Sequence, residues 1–388
     1  MSADARILAG SGQEGHYAKG SRKLTELGPG DASLLRKVNT KVTLRALRHE
    51  GAATLTRLGR ITGLSRQTVE AVLDELAERG YVRELPPDEG VMGRPARRFA
   101  FRADAGYVVG MEIGGDGIVA ALADLNGEVI AWRRAEVSGD ATAHERLEAA
   151  RRTSQACVDG AGVARRQVWA VAAGTPGIVD RTGRVSLAIT LPGWTGVDLA
   201  GLAGRWLGGT ALAANDANLA ALAEHWRGSA RHASDVVYVL TGHRTGAGIL
   251  IGGRLHPGRT GAAGEIGTLR QVGWEDAARE LVKESSAAEV FEAALNGDRE
   301  AARRVDHYAE RLAIGASALA LAVDPELLVL GGGHSRAGDV LLEPLRRHLA
   351  ELCVSAPEVV ASTFGDEGVA LGAVRLALDH VEREILGI

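Results

Sequence analysis

Two apolar rhythms divide the chain. Between residues 36 and 102 the apolar positions recur at helical spacing in short runs: Leu44 and Leu47, then Leu55, Leu58, Ile61 and Leu64, then Val69, Val72, Leu73 and Leu76. Beyond residue 105 they come as compact blocks such as 107–113, 118–124 and 168–173, with helical pattern between them. Helices repeat every 3.6 residues and strands every two, so the first rhythm predicts a small helical unit and the second an α/β body.

Within the first unit the punctuation is specific. A helix ends near His49-Glu50-Gly51, Thr54 is placed to cap a second helix running through Ile61, and Gly63 permits a tight turn. Ser65 caps a third helix reaching about Arg79-Gly80, which buries Val69, Val72, Leu73 and Leu76 and leaves Arg66, Gln67 and Thr68 at its exposed start. Two strand-like segments, 81–85 and 97–102, flank a loop rich in Pro, Gly and Asp that ends in Gly93-Arg94-Pro95-Ala96. This order predicts a winged helix-turn-helix. Ser65, Arg66, Gln67 and Thr68 are its candidate base-reading residues, and Arg94 and Arg97 its candidate wing contacts to phosphate or minor groove. The plain alternative is a three-helix unit that only packs against the body.

In the body, Asn126-Gly127 is a strong hairpin signal between the strands 118–124 and 129–133. A helical stretch over 144–160 and a strand over 168–173 follow, leading into Gly174-Thr175-Pro176-Gly177. Three antiparallel strands, a helix and another strand form an α/β half of the ribonuclease-H-like type, and a second half begins near Asp235. The expected organisation is a flexible tail over 1–35 with a short helix near 32–38, a head over 36–102, a first lobe over 105–230, and a second lobe over 231–388 ending in a C-terminal helix.

Charge sharpens the division. The net charge of −4 conceals a segment, 36–102, with 14 Lys/Arg against 8 Asp/Glu, while the remainder has 31 against 41. A basic head on an acidic body is expected of a nucleic-acid-binding sensor. Hydrophobic residues make up 46% and charged residues 24%, a globular composition. The N-terminal stretch lacks a signal-peptide core and no apolar run reaches the roughly 20 residues of a membrane span, so a cytoplasmic location without membrane contact is expected. Cys157 and Cys353 are far apart and form no CxxC pair, so they predict neither a disulfide framework nor a cysteine zinc site.

The body carries Glu112-Ile113-Gly114-Gly115-Asp116, Gly174-Thr175-Pro176-Gly177, Leu191-Pro192-Gly193-Trp194, Asn215-Asp216-Ala217-Asn218, GRTGAAGEIG over 258–267, and a strand ending in Gly331-Gly332-Gly333. With these motifs in this order the chain resembles the ROK family, which groups bacterial transcriptional repressors with sugar kinases. The resemblance runs from about residue 36 to the C-terminus. It implies an actin-like, two-lobed body of the ATPase superfamily behind the winged head, giving an α/β fold overall.

By that resemblance Asp216 occupies the position of the kinases' catalytic base, here degenerate, and Gly177, Asn215, Asp216 and Glu265 match family sugar contacts. Several departures oppose phosphoryl transfer. Asp116 stands where the kinases' first phosphate loop has threonine, placing negative charge where a phosphate oxygen would lie. Glu112 replaces an aspartate, and His243 and Arg244 add bulk to the second glycine turn. Thr268 replaces the family's zinc-ligating and sugar-contacting histidine, and Thr190 stands where asparagine is common. No cysteine cluster follows Thr268, so neither metal nor cofactor is expected. Gly331–Gly333 is equally suited to approach an adenosine or to pack a strand end. Asn215 and Asp216 would equally serve as caps of the helix that follows them.

The reading is a DNA-binding transcriptional regulator, of repressor type, whose kinase-like body senses a sugar or sugar derivative. Its expected partners are a double-stranded operator arranged as an inverted repeat, a sugar-like effector, and further copies of itself as a homodimer or homotetramer. The alternatives are a hexose kinase with an accessory DNA-binding head and a ligand-independent DNA-binding regulator.

Overall fold

The computed structural model describes residues 29–86, 96–242, 245–283 and 285–388. The described residues open with helix α1 (Pro29–Glu50), the short strand β1 (Ala52–Thr54), α2 (Leu55–Thr62), α3 (Arg66–Glu78), β2 (Val82–Leu85) and β3 (Arg98–Phe101). Local chemistry sets these bounds. The Thr54 side chain accepts from the Arg57 amide, Gly63 ends α2 at φ 72°, and the Ser65 hydroxyl accepts from the Thr68 amide at 3.1 Å. Leu44, Leu47, Leu58, Leu73 and Leu76 are buried together as the core of the three helices. The wing is a three-stranded antiparallel sheet in the order β1-β3-β2, with Ala53 opposite Phe99.

The first helix differs from expectation. It runs unbroken from Pro29, through the point at residue 36 where the sequence places the head's start, with no separate short helix near 32–38. Leu34, Leu35 and Val38 are exposed on it, so its early turns have no buried stripe to produce a periodic signal. The strand β1 was also unpredicted, because three residues are too few to establish alternation.

The first lobe follows as β4 (Tyr107–Ile113), β5 (Gly117–Asp124), β6 (Val129–Glu136), α4 (Ala143–Gly160), β7 (Val168–Thr175), the small hairpin β8 (Ile178–Val179) and β9 (Val185–Leu187), α5 (Leu199–Leu207), β10 (Thr210–Asn215) and α6 (Asp216–Arg227). Its sheet has the order β10-β7-β4-β5-β6, parallel among the first three strands and antiparallel among the last three. Gly127, at φ 81°, closes the predicted hairpin between β5 and β6, with Asp124 Oδ1 accepting from the amides of Asn126 and Glu128.

The second lobe comprises β11 (Val236–Thr241), β12 (Gly246–Ile251), β13 (Arg254–Leu255), α7 (Trp274–Leu281), α8 (Ala287–Leu295), α9 (Arg299–Val323), β14 (Leu327–Gly332), α10 (Asp339–Leu352) and β15 (Glu358–Ala361). Its sheet order is β13-β12-β11-β14-β15. The last helix, α11 (Gly368–His380), does not stay with the second lobe to which its place in the sequence assigns it. It packs on α6, β4 and β7, burying Val369, Ala373 and Val374 in one core with Val108, Ala170 and Leu219. Two glycines make this approach possible. A Cβ at Gly372 would stand 1.8 Å from the Leu219 carbonyl oxygen, and one at Gly110 would stand 2.3 Å from that of Ala370.

Candidate functional site

Helix α6 begins at the meeting of the lobes, and its start is built from the residues singled out in the sequence. Asn215 caps it: the side-chain oxygen accepts from the Asn218 amide at 3.1 Å, while Nδ2 donates to the Gly177 carbonyl, also at 3.1 Å. Asn215 therefore both caps α6 and binds the Gly177 turn to it. Asp216 is the first helical residue, and its Oδ1 accepts from the Ala217 amide at 2.8 Å. Gly177 adopts φ 101°, and a Cβ there would meet the Leu187 carbonyl oxygen at 2.4 Å.

Gly177, Asn215, Asp216 and Glu265 all line one cavity of about 900 Å³ between the lobes. Thr190 lines it as well, with a buried hydroxyl that has no hydrogen-bond partner among the described residues. Thr268, at the histidine position, donates its hydroxyl to the Glu265 carbonyl at 2.7 Å and closes its own turn.

The site's electrostatics centre on carboxyls. Burial raises the Asp216 pKa to about 6 against the opposing effect of the helix amides it faces. Burial, then the charges of Asp216 and Asp366, push Glu112 up to about 8, with Arg134 partly offsetting them. Glu265 is shifted upward by burial and by Asp216. Among the described residues no group of three or more His, Cys, Asp or Glu side chains is arranged to hold a metal ion.

Two sets of contacts were not legible in the sequence. Arg146, fully buried on α4, donates to the carbonyls of Gly114 at 2.5 Å, Gly115 at 2.7 Å and Ser138 at 3.0 Å, fixing the first glycine turn from behind. Its signal was an arginine at a core-facing position of the predicted helix. Trp194, also buried, donates from Nε1 to the Thr175 hydroxyl at 2.9 Å, and that hydroxyl donates to the Ile113 carbonyl. At the end of β14, packing explains Gly331 and Gly332 but not Gly333, where no heavy atom lies within 4 Å. A Cβ at Gly331 would stand 1.7 Å from the Tyr238 hydroxyl, and one at Gly332 would stand 2.0 Å from the Thr241 carbonyl oxygen.

In the head, Arg66 and Gln67 are exposed at the start of α3, and Thr68 is half-buried with its hydroxyl 2.8 Å from that of Ser65. Ser65 and Thr68 thus form the cap that presents Arg66 and Gln67. Arg97, expected as a wing contact to DNA, is held by carboxylates. It bonds both Glu84 oxygens at 2.9 Å and Glu70 at 3.1 Å, so its guanidinium ties the wing to α3. Arg94, like His243 and Arg244, lies outside the described residues.

A winged helix-turn-helix joined to a two-lobed, sugar-kinase-like body defines a class of regulator built on a kinase scaffold. The chain belongs to the ROK family, whose sequence pattern matches residues 108–272 and 271–380, and the MarR family pattern matches residues 39–90 of the head. The xylose repressor of Caldicellulosiruptor bescii is 26% identical over 91% of this chain and 98% of its own length. The glucokinase of Thermotoga maritima is 28% identical over 54% of this chain and 80% of its own length, a match confined to part of the chain. Among solved structures, a ROK family transcriptional regulator homologous to the E. coli MLC protein superposes with a TM-score of 0.70, covering 89% of this chain and 96% of that one at 20% identity.

Proposed function

We propose that this protein is a transcriptional repressor that binds operator DNA through α3 and the wing and senses a sugar in the cavity between its lobes. The observation that carries the reading is that one chain holds both a capped, exposed recognition-helix start and an interlobe cavity where the family's sugar-contact positions converge. The xylose repressor relative, matched over almost its whole length, supports the same combination.

The body acts as a sensor and not as a kinase. Asp216 remains at the start of α6, but Asp116 is exposed on the cavity wall and brings negative charge to the first glycine turn. Like charges disfavour a nucleotide's phosphates there. A coupled ADP-release assay across hexoses, pentoses and aminosugars is expected to give background rates, and turnover with any of them would overturn this part.

Two copies of the chain related by a two-fold axis would set their α3 helices into successive major grooves, so the operator is an inverted repeat. A sugar that binds the closed arrangement of the lobes better than the open one shifts the head's placement and releases DNA. Fluorescence anisotropy of the purified protein on its own upstream intergenic DNA, at two salt concentrations and with a sugar panel, tests the whole. Specific binding that one sugar weakens is expected; absence of specific binding at both salts would overturn the reading.

A further inference from the structure

The interlobe cavity has two chemically distinct zones. Its base is polar, with Asp216 and Glu265 at its wall. Its mouth is apolar and wet: Leu187, Ile189 and Leu269 line the same cavity and are 42%, 67% and 53% exposed. Leu187 and Ile189 come from the first lobe and Leu269 from the second, so the aliphatic groups belong to both sides of the cleft. Exposed aliphatic side chains gathered on a cavity wall mark a surface that a ligand covers. A volume of about 900 Å³ lies near the top of the range for drug-sized ligands, more room than one sugar ring fills.

Charge narrows the ligand further. Asp116, Asp216, Glu265, Glu275 and Asp276 line the cavity against Arg270 and Arg279, and Arg279 is paired with Asp276. A phosphoryl group carries about −1.5 to −2 charge near neutral pH and would meet a wall already negative among its described residues.

We propose that the pocket takes an uncharged glycoside, with one sugar ring against the polar base and a second ring, from another sugar or an apolar aglycone, held between Ile189 and Leu269. Hydroxyl groups of the first ring pair with the carboxyls. The second ring covers the aliphatic groups at the mouth and removes them from water. The inference rests on the sugar-sensor reading and refines it, because it separates glycosides from both free monosaccharides and sugar phosphates.

Isothermal titration of the full-length protein with D-xylose, D-glucose, xylobiose, cellobiose, maltose, phenyl β-D-glucoside and glucose 6-phosphate tests it. At least one glycoside is expected to bind about tenfold or more tightly than its parent monosaccharide, and glucose 6-phosphate not to bind. Ile189→Ser and Leu269→Ser, both at exposed positions, should weaken the glycoside about tenfold more than the monosaccharide. Monosaccharides binding as well as every glycoside, or glucose 6-phosphate binding most tightly, would overturn the inference and leave the sensor reading intact. The same holds if the two variants weaken the monosaccharide equally, since the aliphatic groups would then simply close over a single ring. Failure of all seven compounds to bind would overturn both.

Discussion

Arg48, on the last turn of α1, donates to Glu382 at 3.0 Å and so fastens the DNA-reading head to the far end of the chain. The same guanidinium donates to the Leu125 carbonyl at 2.8 Å and lies 5.4 Å from the Phe101 ring. Glu382 is shared with Arg375 of α11, at 2.6 Å, so the bridge continues into the helix that packs on α6. Asp216 begins α6, and a contiguous path of packed helices therefore links the cavity to the head.

Removing Arg48 should loosen that junction. The pair is partly buried, with side-chain exposures of 17% and 20%, and the Leu125 carbonyl would lose its charged donor as well. Arg48→Ala is expected to cost about 1–3 kcal/mol. Calorimetry should resolve the head's unfolding from the body's, and a single transition at the native temperature would refute the junction's importance. Burial works to raise the Glu382 pKa, but Arg375 and Arg48 outweigh it and hold the carboxyl below its ordinary range. The junction's stability is therefore full above the ordinary glutamate pKa and is lost as pH falls below it.

The buried carboxyls Glu112 and Asp216 titrate in the opposite sense. With Glu112 near 8 and Asp216 near 6, the folded chain holds more protons than the unfolded one from an ordinary carboxyl pKa of about 4 up to about 8. Stability should fall as pH rises through that interval and level off above it. Glu112→Gln should flatten the slope and raise the melting temperature at pH 8 by a few degrees. An unchanged profile between pH 5 and 8 would show that the burial of these carboxyls is relieved in solution.

DNA contacts divide by chemistry. Arg66→Ala at the exposed start of α3 should cost about 1–3 kcal/mol on the operator and relax preference at one base position. Arg94→Ala should weaken binding to all sequences and lower the salt slope by about one unit. Arg97→Ala acts through Glu84 and Glu70, and should reduce affinity by loosening the wing while leaving the salt slope nearer its native value. Anisotropy titrations at several salt concentrations separate the three, and a full unit of slope lost in Arg97→Ala would make it a phosphate contact.

The contact of α11 with α6 leaves no space for a side chain at Gly372. Gly372→Ala forces its methyl group into the Leu219 backbone and should cost about 1–3 kcal/mol or more by overpacking. Gly333→Ala, where no heavy atom lies within 4 Å, should be nearly neutral by the same denaturant-unfolding measurement. Equal effects would contradict the packing.

Local signals carried much of the architecture. Thr54, Gly63 and Ser65 define α2 and α3 because capping and positive φ are decided within four residues, and Asn126-Gly127 fixes its hairpin for the same reason. The motif order identified the two-lobed body, and the residues picked as ligand contacts do converge on one cavity. Asn215 is the instructive case. It was legible both as a ligand residue and as a helix cap, and its hydrogen bonds to the Asn218 amide and the Gly177 carbonyl make it the cap that shapes the site.

What the sequence determined by itself was the set of elements and their chemistry, since periodicity, caps and turn residues act over a single helix or hairpin. Tertiary structure alone decided the relations between distant segments. It brought α11 back onto the first lobe, set Arg146 behind the glycine turn, turned Arg97 toward Glu84 and Glu70, and joined Arg48 to Glu382. Each of these depends on which faces are buried against one another. Burial energy is non-directional and scales with area, so the pattern within one element records that a face is covered but not which distant element covers it.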